Sequence, residues 1–150
     1  MAHFLYCALA GRPITIYGDG YQVRDILHVH DLIDAMLEVR SEIDRTRGQV
    51  FNVGGGMKRS VSVIEMLDQI ERQTGKPQRR HFCEVRPGDQ PLYISDTSKL
   101  EKLTHWRARR SLADTLGAIQ QFWLHNQDKI ERPLAIASPY AAEAAEMEVA

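Results

Sequence analysis

The spacing of apolar and polar positions changes several times along the chain, and each change marks an element. Ala2 to Ala10 reads as a helix closed by Gly11-Arg12-Pro13, because glycine readily ends a helix and proline cannot continue one. Ile14 to Tyr17 is a β-branched and aromatic strand, stopped by Gly18-Asp19-Gly20, whose glycines permit the positive φ of a tight turn. Val23 to Val29 is extended again, which puts Arg24, Ile26 and His28 on one face and Asp25, Leu27 and Val29 on the other. Asp25, on the apolar side, needs a partner and is expected to order the local fold.

Asp31 is placed to cap a helix from Leu32 to about Ile43. Leu32, Ile33, Ala35, Met36, Leu37 and Val39 cannot all face one core, so this helix expects neighbours on more than one side. Gln49 to Val53 has the composition of a short strand running into Gly54-Gly55-Gly56. Ser62 and Glu65 form a capping box for a helix with Val63, Ile64, Leu67 and Ile70 in one stripe, ended by Gly75-Lys76-Pro77. Arg79 to Glu84 is strand-like, Arg86-Pro87-Gly88-Asp89 is a turn, and Leu92 to Ser95 is extended. Asp96 opens a short helix through Leu103, and Ser111 caps a last one with Leu112, Leu116, Ile119 and Trp123 on one side. Short strands alternating with helices define an α/β class. Residues 1–126 form the folded portion by this reading, and residues 127–150 are an Ala- and Glu-rich segment expected to be a flexible, solvated tail.

Composition narrows the functions available. The 150 residues carry 19 Lys and Arg against 20 Asp and Glu, a balance that argues against a dedicated nucleic-acid or membrane-surface binder. Cys7 and Cys83 give neither a disulfide framework nor a metal spacing, and no long apolar run interrupts the chain. The cytoplasm is the expected compartment.

Three positions could carry binding chemistry. The turn brings Arg86 and Asp89 within about 7 Å of each other, a guanidinium suited to phosphate oxygens beside a carboxylate suited to sugar hydroxyls. Taken alone, a surface salt bridge across the turn is the plainer reading. Arg24, displayed from a strand, is a second cation, equally open to reading as an ordinary strand-end charge. His28 and His30 stand at period-two spacing with nothing at matching distance to complete a metal site, so a structural role is favoured. Gly54-Gly55-Gly56 lacks the spaced glycines of a dinucleotide fingerprint, and the Arg79-Arg80 and Arg107 to Arg110 runs read as solvated faces.

Taken in order, Gly11-Arg12-Pro13-Ile14-Thr15-Ile16-Tyr17-Gly18-Asp19-Gly20, Val23-Arg24-Asp25-Ile26-Leu27-His28-Val29-His30-Asp31-Leu32, Phe51-Asn52-Val53-Gly54-Gly55-Gly56 and Arg86-Pro87-Gly88-Asp89-Gln90 resemble the C-terminal half of extended short-chain dehydrogenase/reductases. With the Ile94-Ser95-Asp96 to Trp106 segment, the resemblance to these nucleotide-sugar epimerases and dehydratases covers about residues 2 to 125, and is greatest to the CDP-paratose (CDP-tyvelose) 2-epimerase type. It implies an α/β, Rossmann-type enzyme of which this chain is the C-terminal, substrate-binding portion without the N-terminal dinucleotide-binding half. It implies Arg24 and Arg86 on the substrate's diphosphate, Asp89 on the ribose hydroxyls and Tyr17 along the base. Two arginines found separately thereby become partners across one ligand, which displaces the salt-bridge reading of the turn.

The departures matter as much. No glycine-rich dinucleotide turn is present, and none of Tyr6, Tyr17, Tyr21, Tyr93 and Tyr140 is followed four residues later by lysine. In the family that Tyr-x-x-x-Lys pair supplies the acid/base and holds the nicotinamide ribose. The expectation is therefore a truncated, catalytically incomplete chain: no catalytic residue, no metal, and NAD implied for the complete enzyme but bound by none of these residues. The expected partner is a nucleotide-diphosphate sugar, with a second copy or a separate Rossmann-half chain as the macromolecular alternatives. The strand ending at Val53 and the helix after Asp31 would normally pack on the absent half.

Overall fold

Helix α1, Ala2–Ala10, ends at Gly11, whose φ of 67° places it in the left-handed region that terminates helices. The computed structural model describes residues 1–126, so the expected tail at 127–150 lies outside the described residues. After α1 come β1 (Ile14–Tyr17), β2 (Val23–Asp25), α2 (Val29–Ser41), the single turn α3 (Ile43–Thr46), a 3-10 turn at Met57–Arg59, β3 (Ser60–Ser62) and α4 (Val63–Thr74). They are followed by β4 (Arg80–Cys83), β5 (Leu92–Tyr93), α5 (Ser98–Leu103) and α6 (Leu112–His125). This is the α/β class that the sequence pattern predicts.

The strands form two small sheets. β1 runs parallel to β4, with Ile14 opposite Arg80 and Tyr17 opposite Cys83. β2 is the middle strand of the other sheet, antiparallel to β3 and parallel to β5, with Arg24 opposite both Val61 and Tyr93.

One core gathers Leu5, Cys7 and Ala8 of α1, Ile14 and Ile16 of β1, Met66, Leu67 and Ile70 of α4, and Leu116 of α6. The capping box at α4 forms as read: the Glu65 N–H donates to Ser62 Oγ at 3.2 Å and the Ser62 N–H to Glu65 Oε2 at 2.8 Å. The Ser62 N–H and the Ser62 hydroxyl, both donating to Glu65 Oε2 at 2.8 Å, hold the Glu65 carboxyl below its ordinary pKa. α6 repeats the device with Ser111 and Asp114, and its Trp123 stacks on Tyr6 with ring centroids 4.7 Å apart.

The second cluster is smaller, Ala35, Leu100 and Trp106 with Leu27, Val39, Phe51 and Val53 at its margin. Here the structure corrects several expectations. The extended segment stops at Asp25, where its partner β3 begins at Ser60, and the next amide, Ile26 N–H, donates to the carbonyl of Arg59 in the 3-10 turn at 3.0 Å. α2 starts earlier than expected and is capped by His28, whose Nδ1 accepts from the His30 N–H at 3.0 Å.

Asp31 is therefore not the cap. It lies in the first turn, fully buried, and accepts from the Arg109 N–H (3.2 Å), the Arg110 N–H (3.0 Å) and the Arg110 guanidinium (2.6 Å). Burial alone would raise its pKa, but these hydrogen bonds and the Arg110 charge outweigh it and hold the carboxyl below its ordinary value. The Arg107 to Arg110 run is accordingly not a purely solvated face, since Arg110 is spent on Asp31 and, at 2.9 Å, on Asp34.

Gln49 to Val53 forms no strand, because no described strand runs beside it to take its amide groups. Side chains meet it instead: Lys99 Nζ donates to the Val50 carbonyl at 3.0 Å and Asn52 Nδ2 to the Asp96 carbonyl at 3.4 Å. α2 likewise has its apolar neighbours on one side only among the described residues, leaving Ile33, Met36 and Leu37 46%, 61% and 55% exposed.

Candidate functional site

The two sheets meet at the Arg86–Asp89 turn. β4 leads into it from the register that sets Cys83 opposite Tyr17, and the Gly18 N–H donates to the Cys83 carbonyl at 2.9 Å. The chain leaves it through Pro91, whose carbonyl accepts from the Val23 N–H at 2.9 Å, and enters β5 beside Arg24. Both flanks of one turn are thus stitched to the strands that carry Tyr17 and Arg24. The turn closes with the Asp89 N–H donating to the Arg86 carbonyl at 3.1 Å, and Gly88 takes the φ of 81° that its third position needs.

All four expected binding residues come together there. Arg24 Nη2 donates to Asp89 Oδ1 at 2.7 Å, while Nη1 donates to the Val23 carbonyl at 2.8 Å. The guanidinium carbon of Arg86 sits 3.6 Å above the Tyr17 ring, close enough for a cation–π contact. Gln22 Nε2 donates to the Tyr17 carbonyl at 2.9 Å, which ties the Gly18-Asp19-Gly20 turn back onto β1. Neither the Arg24 nor the Asp89 side chain is deeply buried, 36% and 30% exposed, so both cation and carboxylate are within reach of a solute. Sequence reasoning missed Gln22 and Tyr93, which stands opposite Arg24 on β5. The strand register, which no local pattern discloses, points to Tyr93, while the Gln22 contact is a side-chain bond across five positions.

Asp25 orders the floor beneath, as its apolar-side position implies. Its Oδ2 accepts from the Gly56 N–H at 3.0 Å and the Ser95 N–H at 3.2 Å. A Cβ on Gly54 would collide with Ser95 and the Asp25 carboxylate, and one on Gly55 with the Ile26 carbonyl. The space these glycines leave open is filled by the chain itself, so the residues of this stretch do not fit a dinucleotide pyrophosphate.

His28 and His30 have ring centroids 5.0 Å apart beside an open cavity of about 560 Å³ lined also by Asp34, Arg109, Arg110 and Asp114. The cap explains His28. Among the described residues no group of three His, Cys, Asp or Glu is placed to hold a metal ion, and no helix is long and apolar enough to cross a membrane.

Residues 2–119 match the family described as GDP-mannose 4,6 dehydratase. The chain belongs to this family of extended short-chain dehydrogenase/reductases, the nucleotide-sugar epimerases and dehydratases. It is similar to the CDP-paratose 2-epimerase of Salmonella typhi, 32% identical over 103 residues that make up 69% of this chain and 30% of that protein. It is also similar to the dTDP-glucose 4,6-dehydratase of Xanthomonas campestris pv. campestris, 35% identical over 133 residues, 83% of this chain and 37% of that one. Among solved structures, the UDP-glucuronic acid 4-epimerase of Bacillus cereus in complex with UDP-glucuronic acid and NAD superposes with a TM-score of 0.74 at 30% identity. That match covers 81% of this chain and 40% of the epimerase. The chain thus spans about a third of the length of these curated relatives.

Proposed function

We propose that this chain is the nucleotide-diphosphate-sugar-binding portion of an NAD-dependent nucleotide-sugar epimerase or dehydratase. The observation that carries the reading is the meeting of Tyr17 and Arg24, on two strands, with Arg86 and Asp89 of a turn some 65 positions further on. Arg24 and Arg86 take the diphosphate, Asp89 the ribose hydroxyls, and Tyr17 lies along the base. Two guanidinium groups give charge-assisted bonds to phosphate oxygens, and a carboxylate is the matching acceptor for a diol. The solved relative's complex with UDP-glucuronic acid and NAD supports the substrate class. Hydride transfer and its acid/base fall to residues outside these 150, since no tyrosine here has a lysine four positions on.

The test is calorimetric titration with CDP, UDP and dTDP, CDP first because the resemblance is to the CDP-paratose 2-epimerase type. One of them binds saturably. Arg86→Ala and Arg24→Ala each weaken that binding by roughly 1.5 to 3 kcal/mol, the worth of a hydrogen bond to a charged group. If both variants bind as the parent does, the phosphate assignment is wrong.

A second reading, a non-catalytic module that covers its apolar face by self-association, is favoured by the exposed Ile33, Met36 and Leu37 of α2. Sedimentation separates the two, a clean monomer counting against self-association.

A further inference from the structure

The Arg24–Asp89 ion pair bears on selectivity, on the assumption that the binding reading above is right. Arg24 Nη2 is committed to Asp89 Oδ1 at 2.7 Å, and Nη1 to the Val23 carbonyl at 2.8 Å. A phosphate oxygen that takes the Nη2 hydrogen now given to Asp89, the one facing the turn, does so by displacing the carboxylate. The pair is open to this exchange, because partly solvated ion pairs hold weakly and both side chains keep about a third of their surface in water.

What happens to Asp89 after the exchange depends on the ligand. A bare diphosphate leaves the carboxylate beside a second anion with no donor in place of the guanidinium, and like charges in contact disfavour the complex. A diphosphate that carries vicinal hydroxyls supplies two O–H donors to the displaced carboxylate. We infer that Asp89 is a specificity-determining residue that screens anions through its ion pair with Arg24, rejecting bare diphosphates and admitting those bearing a diol. The discrimination comes from a built-in repulsive element as much as from an attractive one. The turn bond from the Asp89 N–H to the Arg86 carbonyl, 3.1 Å, is independent of the carboxylate, so an amide at this position keeps the turn.

The experiment titrates the full chain and its Asp89→Asn variant with inorganic pyrophosphate and with UDP. Glu84→Gln, which removes the same charge from an exposed neighbouring position, is the control for net charge. The expected result is that Asp89→Asn binds pyrophosphate about tenfold more tightly and UDP several-fold more weakly, while Glu84→Gln changes neither. The preference for UDP over pyrophosphate then narrows by more than about tenfold. If Asp89→Asn leaves pyrophosphate binding unchanged or weaker while UDP binding still depends on Arg24 and Arg86, the screening role is overturned and the binding site stands. An equal gain in Glu84→Gln also overturns it, as a general charge effect. CDP replaces UDP in every arm if UDP does not bind, and if neither binds in a way that depends on Arg24 and Arg86, the binding reading fails and this inference with it.

Discussion

In the cluster of α1, β1, α4 and α6, Leu5, Ile14, Leu67, Ile70 and Leu116 are wholly enclosed. α2, by contrast, buries Asp31 and Ala35 and leaves Val29, Ile33, Met36 and Leu37 in the open. The first region is held by apolar area removed from water, a force without direction that needs neighbours on all sides. The second has fewer apolar neighbours and is fixed by directed bonds: three donors on the Asp31 carboxylate, the Trp106 indole N–H on the Asp31 carbonyl at 2.8 Å, and Arg110 bridging to Asp34. A helix that is apolar around much of its circumference can keep its place with one side uncovered if polar bonds set its position.

Four substitutions at three positions probe this contrast. Leu67→Ala, in the enclosed cluster, costs about 2–5 kcal/mol by urea denaturation, since the packed surroundings cannot collapse into the cavity. A loss well under 1 kcal/mol would mean that this cluster is not the firmer half. Asp31→Ala costs about 3 kcal/mol, because it leaves the Arg109 and Arg110 N–H groups and a guanidinium without their acceptor.

The Asp31 contribution is also pH-dependent. A carboxyl held below its ordinary value of 3.8 when folded stabilises the chain in full above that value, and loses the effect as pH falls through the lower folded pKa. The parent should therefore lose more stability than Asp31→Asn between about pH 5 and pH 2. Glu65 and Asp96, also lowered but by bonds that do not involve Asp31 or Arg110, act alike in both proteins and cancel in the difference. Equal slopes would remove charge from the account of what holds α2.

Met36→Ser is the smallest expected effect. At 61% exposure its loss should stay within about 0.5 kcal/mol. A cost above about 1.5 kcal/mol that grows with protein concentration would show that the α2 face is covered in solution by a second copy.

The enclosed half was the legible half. Ser62 with Glu65, the Val63 to Ile70 stripe and the Ser111 cap are local signals, and local geometry satisfies them. Gln49 to Val53 misled because strand composition is only half of a strand, the other half being a neighbour, and no described strand supplies one. Asp31 misled because an aspartate ahead of an apolar run suits a cap, while its actual donors lie some eighty positions away, at Arg109 and Arg110. At the site, residue types and turn chemistry marked Arg86 and Asp89, but the partner of Asp89 turned out to be Arg24 on another strand. A pairing between distant strands has no local signature.

The same long pairings have a kinetic consequence. The Arg24–Asp89 contact closes 65 positions of chain and Asp31–Arg110 closes 79, whereas the α4 and α6 caps close three each. Closing a loop costs entropy before any contact repays it, each doubling of length adding about 0.6 kcal/mol. The binding rim therefore exists only once β2 and the turn, 65 positions apart, have been brought together. A nascent or partly unfolded chain has no assembled diphosphate site, so any ligand that fits the rim will act as a selective brace for the finished fold.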